Sequence, residues 1–196
     1  MRFAEILRLP DSAARTAAIA EWIQSLYEDE VPILVGGAAV ELYTGGAYST
    51  GDLDFVGHVP ASVDSALRAH GFTRDGRHWI HEEGRVFVEF PGASLGEGER
   101  AAEIEIDGHR VRLLAPEALV VDRLAAWQFW RSEEDAANAL LVARAVATDP
   151  DALQALGERR EVVPALERLI EALERWSETD PNPEELIEWA RRPPTE

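Results

Sequence analysis

The sequence predicts an α/β fold, α+β in its layout: a mixed sheet flanked by helices, followed by a helical C-terminal extension. Three observations carry this expectation. Apolar runs of strand length alternate with helical periodicity from the N-terminus to about residue 115. Asp107-Gly108 sits between two alternating segments, the strongest short-range hairpin signal. From Pro116 onward every periodic stretch is helical. The expected organisation is a core over residues 1–115 and a helical part over residues 116–196 packed on it.

Taken in order, Ser12 is an N-cap candidate, and Ile19, Trp22, Ile23 and Leu26 then recur at helical spacing. Glu28-Asp29-Glu30 ends that helix and reads as solvated charge. Val31 to Val35 is an apolar run of the kind a strand covered on both faces requires. Gly36-Gly37 turns the chain into a helix opening at about Ala38. A glycine-rich loop leads to a second strand holding Asp52 and Asp54. Pro60 opens a helix that ends near His70-Gly71. Residues 68–81 gather Arg68, His70, Arg74, Arg77, His78 and His81 against a single acid, Asp75. This basic island either guides a polyanionic ligand or is a hairpin whose charges balance neighbouring acids.

Arg85 to Phe90 reads as a strand, apolar after Arg85 except for Glu89. An unpaired carboxylate in such a strand costs several kcal/mol, so Glu89 either serves a site or faces water on an edge. Pro91 to Gly98 is a loop. Glu103 to Ile106 and His109 to Leu113 form the hairpin, with Arg110 and Arg112 on one face. Residues 116–148 read as two helices broken near Arg131-Ser132, Ser132 capping and Asp135 at N3. Arg123, Trp127 and Trp130 fall on one face of the first; the aromatic pair either stacks on a base or fills a core. Asp151 to Glu196 makes two or three amphipathic helices, one over about 161–176 and one after Pro183, with no sign of chemistry.

Composition narrows the function classes. The chain has 196 residues, is 46% hydrophobic and carries a formal charge of −18. The charge is spread evenly, with 10 Arg against 19 acids in residues 1–115 and 9 Arg against 18 acids after them. All 19 basic residues are Arg. Such a surface repels polyanions, so an extended nucleic-acid surface is disfavoured. No apolar run approaches the ~18 residues that span a bilayer, and the N-terminus lacks a signal-peptide pattern, so the expected location is cytoplasmic and no membrane is involved. The absence of cysteine removes disulfides and thiolate metal sites. No G-x-S-x-G element supports serine hydrolysis, and no H-x-x-x-H pair supports zinc.

Residues 31 to 57 carry the chemistry. The turn at Gly36-Gly37 leaves N–H groups open at a helix start, a ready phosphate site. Asp52 and Asp54 alternate along a strand and point the same way, roughly 7 Å apart at the backbone. Their repulsion is about 2–3 kcal/mol at an effective dielectric near 20, and a cation would remove it; Mg²⁺ suits oxygen-only ligands.

The strand, then Gly36-Gly37, then Thr50-Gly51-Asp52-Leu53-Asp54-Phe55 about a dozen residues on, resembles the signature of the polymerase-beta-like nucleotidyltransferase superfamily. The likeness is closest to the small branch that includes abortive-infection nucleotidyltransferase toxins, and weaker similarity runs on to about residue 138. The resemblance implies a nucleotidyltransferase-like mixed sheet. It also implies Mg²⁺-dependent (or Mn²⁺-dependent) transfer of a nucleoside monophosphate from an NTP to a hydroxyl acceptor. A tRNA end, a protein or a small molecule would serve as acceptor, with an antitoxin as a further partner. Asp52 and Asp54 would hold the metal, and Glu89 would supply the third carboxylate as metal ligand or general base. Gly36, Gly37 and Thr50 would position phosphates. Arg123, in a Pro-Glu-opened helix followed by Leu-Ala-Ala, would touch the triphosphate; the other reading pairs it with Asp122 or another acid. The chain departs from the branch where Tyr48 and Ser49 replace a basic residue and where Glu134-Asp135 replaces Lys-Asp. With two cations fewer, the alternative is a catalytically degenerate protein of the same fold acting as an interaction or regulatory module.

Overall fold

The structure, a computed structural model, describes residues 2–192 and Pro194. The chain folds as two compact units, one ending at Leu114 and the other beginning at Ala115.

The first unit opens with α1 (Phe3–Ile6) and α2 (Ala13–Gln24), continues through β1 (Ile33–Val35), α3 (Gly36–Tyr43), β2 (Asp52–Val56) and α4 (Ala61–Ala69), and ends in the strands β3 (Thr73–Asp75), β4 (His78–His81), β5 (Val86–Gly92), β6 (Ala101–Ile106) and β7 (His109–Leu114). Among the described residues these strands make one seven-stranded sheet in the order β3-β4-β5-β2-β1-β7-β6. The sheet is mixed: β1 is antiparallel to β2 and parallel to β7, whereas β2 is parallel to β5. The hairpins β3–β4 and β6–β7 complete its two sides.

Strand alternation divides the sheet into two faces. Leu34, Leu53, Phe55, Trp79, Val86, Val88 and Leu113 are buried on one, together with Ile19 and Ile23 of α2 and Val63 and Leu67 of α4. Phe3 stacks on Trp22 at 4.1 Å and meets the edge of His81 at 5.5 Å, which ties α1 and α2 to this side of β4. The opposite face of β2 and β5 carries Asp52, Asp54, Phe87 and Glu89. A β-sheet with one face packed and one face polar is what this alternation dictates.

Several elements differ from expectation for local reasons. Helix α3 opens at Gly36 itself, because Gly36 takes φ +66° and turns the chain immediately after Val35. Strand β5 runs through Pro91 to Gly92: Pro stands near the strand end, and Gly57 N–H donates to the Gly92 carbonyl at 2.9 Å. Residues 68–81 fold as the end of α4 and the β3–β4 hairpin, the reading in which their charges meet acids. The one-turn α1 is too short to leave a periodic signal.

The second unit is helical: α5 (Pro116–Trp130), α6 (Glu133–Ala145), α7 (Pro150–Arg159), α8 (Val163–Arg175) and α9 (Pro183–Ala190). Pro116 sits in the first turn of α5, and Arg131 closes the helix in the left-handed region with φ +58°. Ser132 Oγ accepts from Asp135 N–H at 3.3 Å, capping α6 as its sequence predicts. Leu119, Val120, Leu124, Leu140, Leu166 and Leu169 are buried in the core of the unit. Trp127 is fully buried there, donating its indole N–H to the Ala190 carbonyl at 2.7 Å and meeting Trp189 at 4.7 Å. It is therefore a core residue, whereas Trp130 is 79% exposed. Among the described residues no helix is long and apolar enough to cross a membrane.

Candidate functional site

Strand register brings the acidic residues of the first unit together. Asp54 of β2 is the direct partner of Glu89 on the parallel β5, and Asp52 is the partner of Phe87. Partners in adjacent strands stand about 4.7–4.9 Å apart and project to the same side. Asp52 and Asp54, two residues apart on one strand, therefore share a face with Glu89. On its other side Asp54 pairs with Val35, the residue before the glycine bend.

The bend lies against these side chains. A Cβ built on Gly36 would sit 2.4 Å from Asp54 Oδ2, so the carboxylate occupies the space that only glycine leaves. A Cβ on Gly37 would lie 3.2 Å from Thr50 Oγ1 and 3.3 Å from the Tyr48 ring. Both glycines remain half-buried rather than enclosed. Thr50 also faces the strand: its Oγ1 accepts from Asp52 N–H at 3.4 Å.

Glu89 already has partners. Its carboxylate meets Arg77 at 2.7 Å and His78 Nδ1 at 3.4 Å. Most of the remaining basic island is likewise engaged. Asp64 binds Arg68 at 2.8 Å, lies 3.6 Å from Arg74 and accepts from the Trp79 indole at 3.1 Å. The hydrogen bond from Arg68, ahead of its charge, holds the Asp64 carboxyl below its usual value. His81 is buried, its Nδ1 accepting from Gly84 N–H at 2.9 Å.

Among the described residues no group of three or more His, Asp or Glu side chains is arranged to hold a metal ion. Asp52 and Asp54 nevertheless offer hard oxygen donors from one strand face. Magnesium characteristically takes one or two protein carboxylates and completes its shell with phosphate oxygens and water. The donor chemistry therefore fits such an ion bound together with a nucleotide, and does not form a closed protein cage.

Arg123 belongs to the second unit, where it binds Asp122 at 2.6 Å and Asp135 at 2.7 Å. Burial works against its charge, but these two carboxylates more than offset that and raise its pKa. Its Nε is buried without a hydrogen-bond partner among the described residues.

One residue escapes the motif altogether. Glu41 of α3 is only 2% exposed. Its carboxyl accepts from Thr16 Oγ1 at 3.3 Å and from Thr50 N–H at 3.4 Å. Burial raises its pKa, outweighing those two hydrogen bonds, which lower it. Glu41 is thus linked through Thr50 to both Gly37 and Asp52. The available signal was a lone carboxylate in a helix whose other residues after the glycines, Ala38 to Tyr43, are all apolar.

No protein-family model matches the sequence, nor does any curated protein. Among solved structures, an antigenic nucleotidyltransferase-like protein from Paracoccidioides brasiliensis superposes with a TM-score of 0.55 at 18% identity, over 84% of this chain and 95% of that one. The likeness establishes a nucleotidyltransferase-like fold.

Proposed function

We propose that this chain, built on a nucleotidyltransferase-like fold, binds a nucleoside triphosphate and moves its nucleoside monophosphate to a hydroxyl acceptor. The observation that supports this reading is the register pairing of Asp54 with Glu89, on the face that carries Asp52 and directly against the Gly36 bend. The open N–H groups of the bend and the Thr50 hydroxyl would orient the phosphates. A divalent cation of the Mg²⁺ or Mn²⁺ type, held by Asp52 and Asp54, would neutralise phosphate charge when bound. In the transfer, the acceptor oxygen forms a bond to the α-phosphorus while the bond to the pyrophosphate oxygen breaks, its electron pair leaving with pyrophosphate. The hydroxyl proton passes to a carboxylate of this face, and Glu89 is the candidate once Arg77 and His78 release it. Arg123 would have to exchange Asp122 or Asp135 for a phosphate to take part. With an overall charge of −18, a protein or small-molecule acceptor suits the surface better than tRNA. An antitoxin partner belongs to the same reading through the toxin branch.

The test is NTP binding by calorimetry and label transfer in the presence of Mg²⁺ or Mn²⁺, comparing wild type with Asp52→Asn and Asp54→Asn. The expected outcome is transfer by the wild type and a loss of about 100-fold or more in either variant, the scale of removing a preorganised charge-stabilising group. Absence of both NTP binding and transfer in the wild type would sink the reading. The occupation of Glu89 by Arg77 and His78 favours a second one, a non-catalytic module of the same fold. NTP binding without transfer, unchanged in the Asp variants, would select it.

A further inference from the structure

A four-residue turn, residues 82–85, closes the β4–β5 hairpin beyond its last register pair, His81 with Val86. We infer that Arg85, the final residue of this turn, binds the phosphate chain of the nucleotide. This role rests on the transfer reading above and supplies the cation that the acidic face otherwise lacks.

Arg85 lines one cleft with Ser49, Thr50, Asp52 and Phe87. Thr50 is the hydroxyl proposed to orient phosphates, and Asp52 is one of the two carboxylates proposed to hold a divalent cation. A triphosphate brought there adds several negative charges to a face that already carries Asp52, Asp54 and Glu89. A fixed cation beside them is the group that stabilises such charge.

The other arginines considered for this task are occupied. Arg77 meets Glu89 at 2.7 Å, and Arg15, in the same cleft, holds Asp11 at 2.5 Å and the Gly84 carbonyl at 2.6 Å. Arg123 belongs to the second unit and binds two carboxylates there. Arg85 is exposed, and among the described residues its side chain makes no ion pair and no hydrogen bond. Scarcity of acids is not the reason, because they outnumber arginines by 37 to 19 and Glu82 and Glu83 precede it directly.

The backbone at this position asks for a different residue. Arg85 stands at φ +51°, in the left-handed region where glycine meets no steric penalty and a long side chain does. The turn is nevertheless pinned. Arg85 N–H donates to the Glu82 carbonyl at 3.0 Å, and Gly84 N–H donates to Nδ1 of the buried His81 at 2.9 Å. Backbone outliers that their surroundings hold in place gather at ligand clamps. An unpaired guanidinium on such a turn, in the cleft of Thr50 and Asp52, selects an anion. Its planar fork matches phosphate oxygens two at a time.

The test titrates the full chain with tripolyphosphate in the presence of Mg²⁺, read by calorimetry. Arg85→Gln is compared with Arg131→Gln, an exposed arginine of the second unit that also stands at positive φ. Both variants change net charge equally, so Arg131→Gln measures the general charge effect alone. Arg85→Gln should weaken binding about 10-fold or more, the scale of a hydrogen bond to a charged group, and Arg131→Gln about 2-fold or less. Arg85→Lys should recover part of the loss, since it keeps the charge without the fork. Arg85→Gly should bind as weakly as Arg85→Gln while its melting temperature holds or rises, because glycine fits the turn. No binding by the wild type, equal losses in the two Gln variants, or full binding by Arg85→Gly would each overturn the inference. Label transfer from NTP separates the two readings. Transfer that survives Arg85→Gln at the wild-type rate keeps the transfer reading and removes this one. Tripolyphosphate binding that depends on Arg85 in a protein without transfer keeps the anion site and removes the transfer reading.

Discussion

Gly36 meets two demands at once. Its φ of +66° is a conformation that costs a residue with a side chain about 1–3 kcal/mol, and its missing Cβ makes room for Asp54 Oδ2. Gly36→Ala should therefore lower the melting temperature, by about 2–4 °C for each kcal/mol in a chain of this size. The double variant Gly36→Ala/Asp54→Ala should recover the steric part but not the backbone part, and equal melting of single and double variants would refute the contact. Glu41 gives a second expectation. Its folded-state pKa lies above its ordinary value of 4.5, raised by burial. Its contribution to stability is fully present below that ordinary value and is lost as pH rises through the higher folded one. Glu41→Gln does not titrate, so its stability relative to wild type should improve with pH across that window. Urea unfolding between about pH 4 and 8 reads this directly, and a pH-independent difference would contradict it.

At the scale of elements, caps and ladders decide the outcome. Ser132 Oγ satisfies one of the unpaired N–H groups at the start of α6, so Ser132→Ala should cost about 1 kcal/mol in chemical denaturation. An unchanged midpoint would show that the cap contributes nothing. This cap, the Asp107-Gly108 hairpin, the Gly-Gly bend and the strand with Asp52 and Asp54 were all legible in the sequence, because each depends on neighbours a few residues away. Other features were hidden because they depend on register. Arg77 meets Glu89 only because β4 lies antiparallel beside β5, a pairing no local pattern encodes. Trp127 shared a helical stripe with Trp130, yet one is buried and the other exposed, since α9 covers the first with Trp189 and the Ala190 carbonyl. Glu41 was hidden for the opposite reason: a glutamate is read as a surface residue, and only the loop 48–51 folding back over α3 encloses it.

For the whole molecule the dominant quantity is the charge of −18. Like charges distributed over both units oppose compaction, and salt relieves that repulsion. Raising ionic strength from about 0.05 to 1 M, where the Debye length falls to about 3 Å, should raise the melting temperature. A fall would mean that attractive pairs such as Arg77–Glu89 outweigh the general repulsion. The position of that pair in the sheet has a consequence of its own. Strands β2 and β5 are bonded on both sides, while β3 is an edge and Arg77 sits in the turn beside it. Local opening begins at such margins and reaches central ladders last. The guanidinium over Glu89 therefore sits beside an edge of the sheet, and the carboxylates on its central strands. Opening of the β3–β4 hairpin would strip the face of its counter-charge while the two carboxylate strands stay paired with each other.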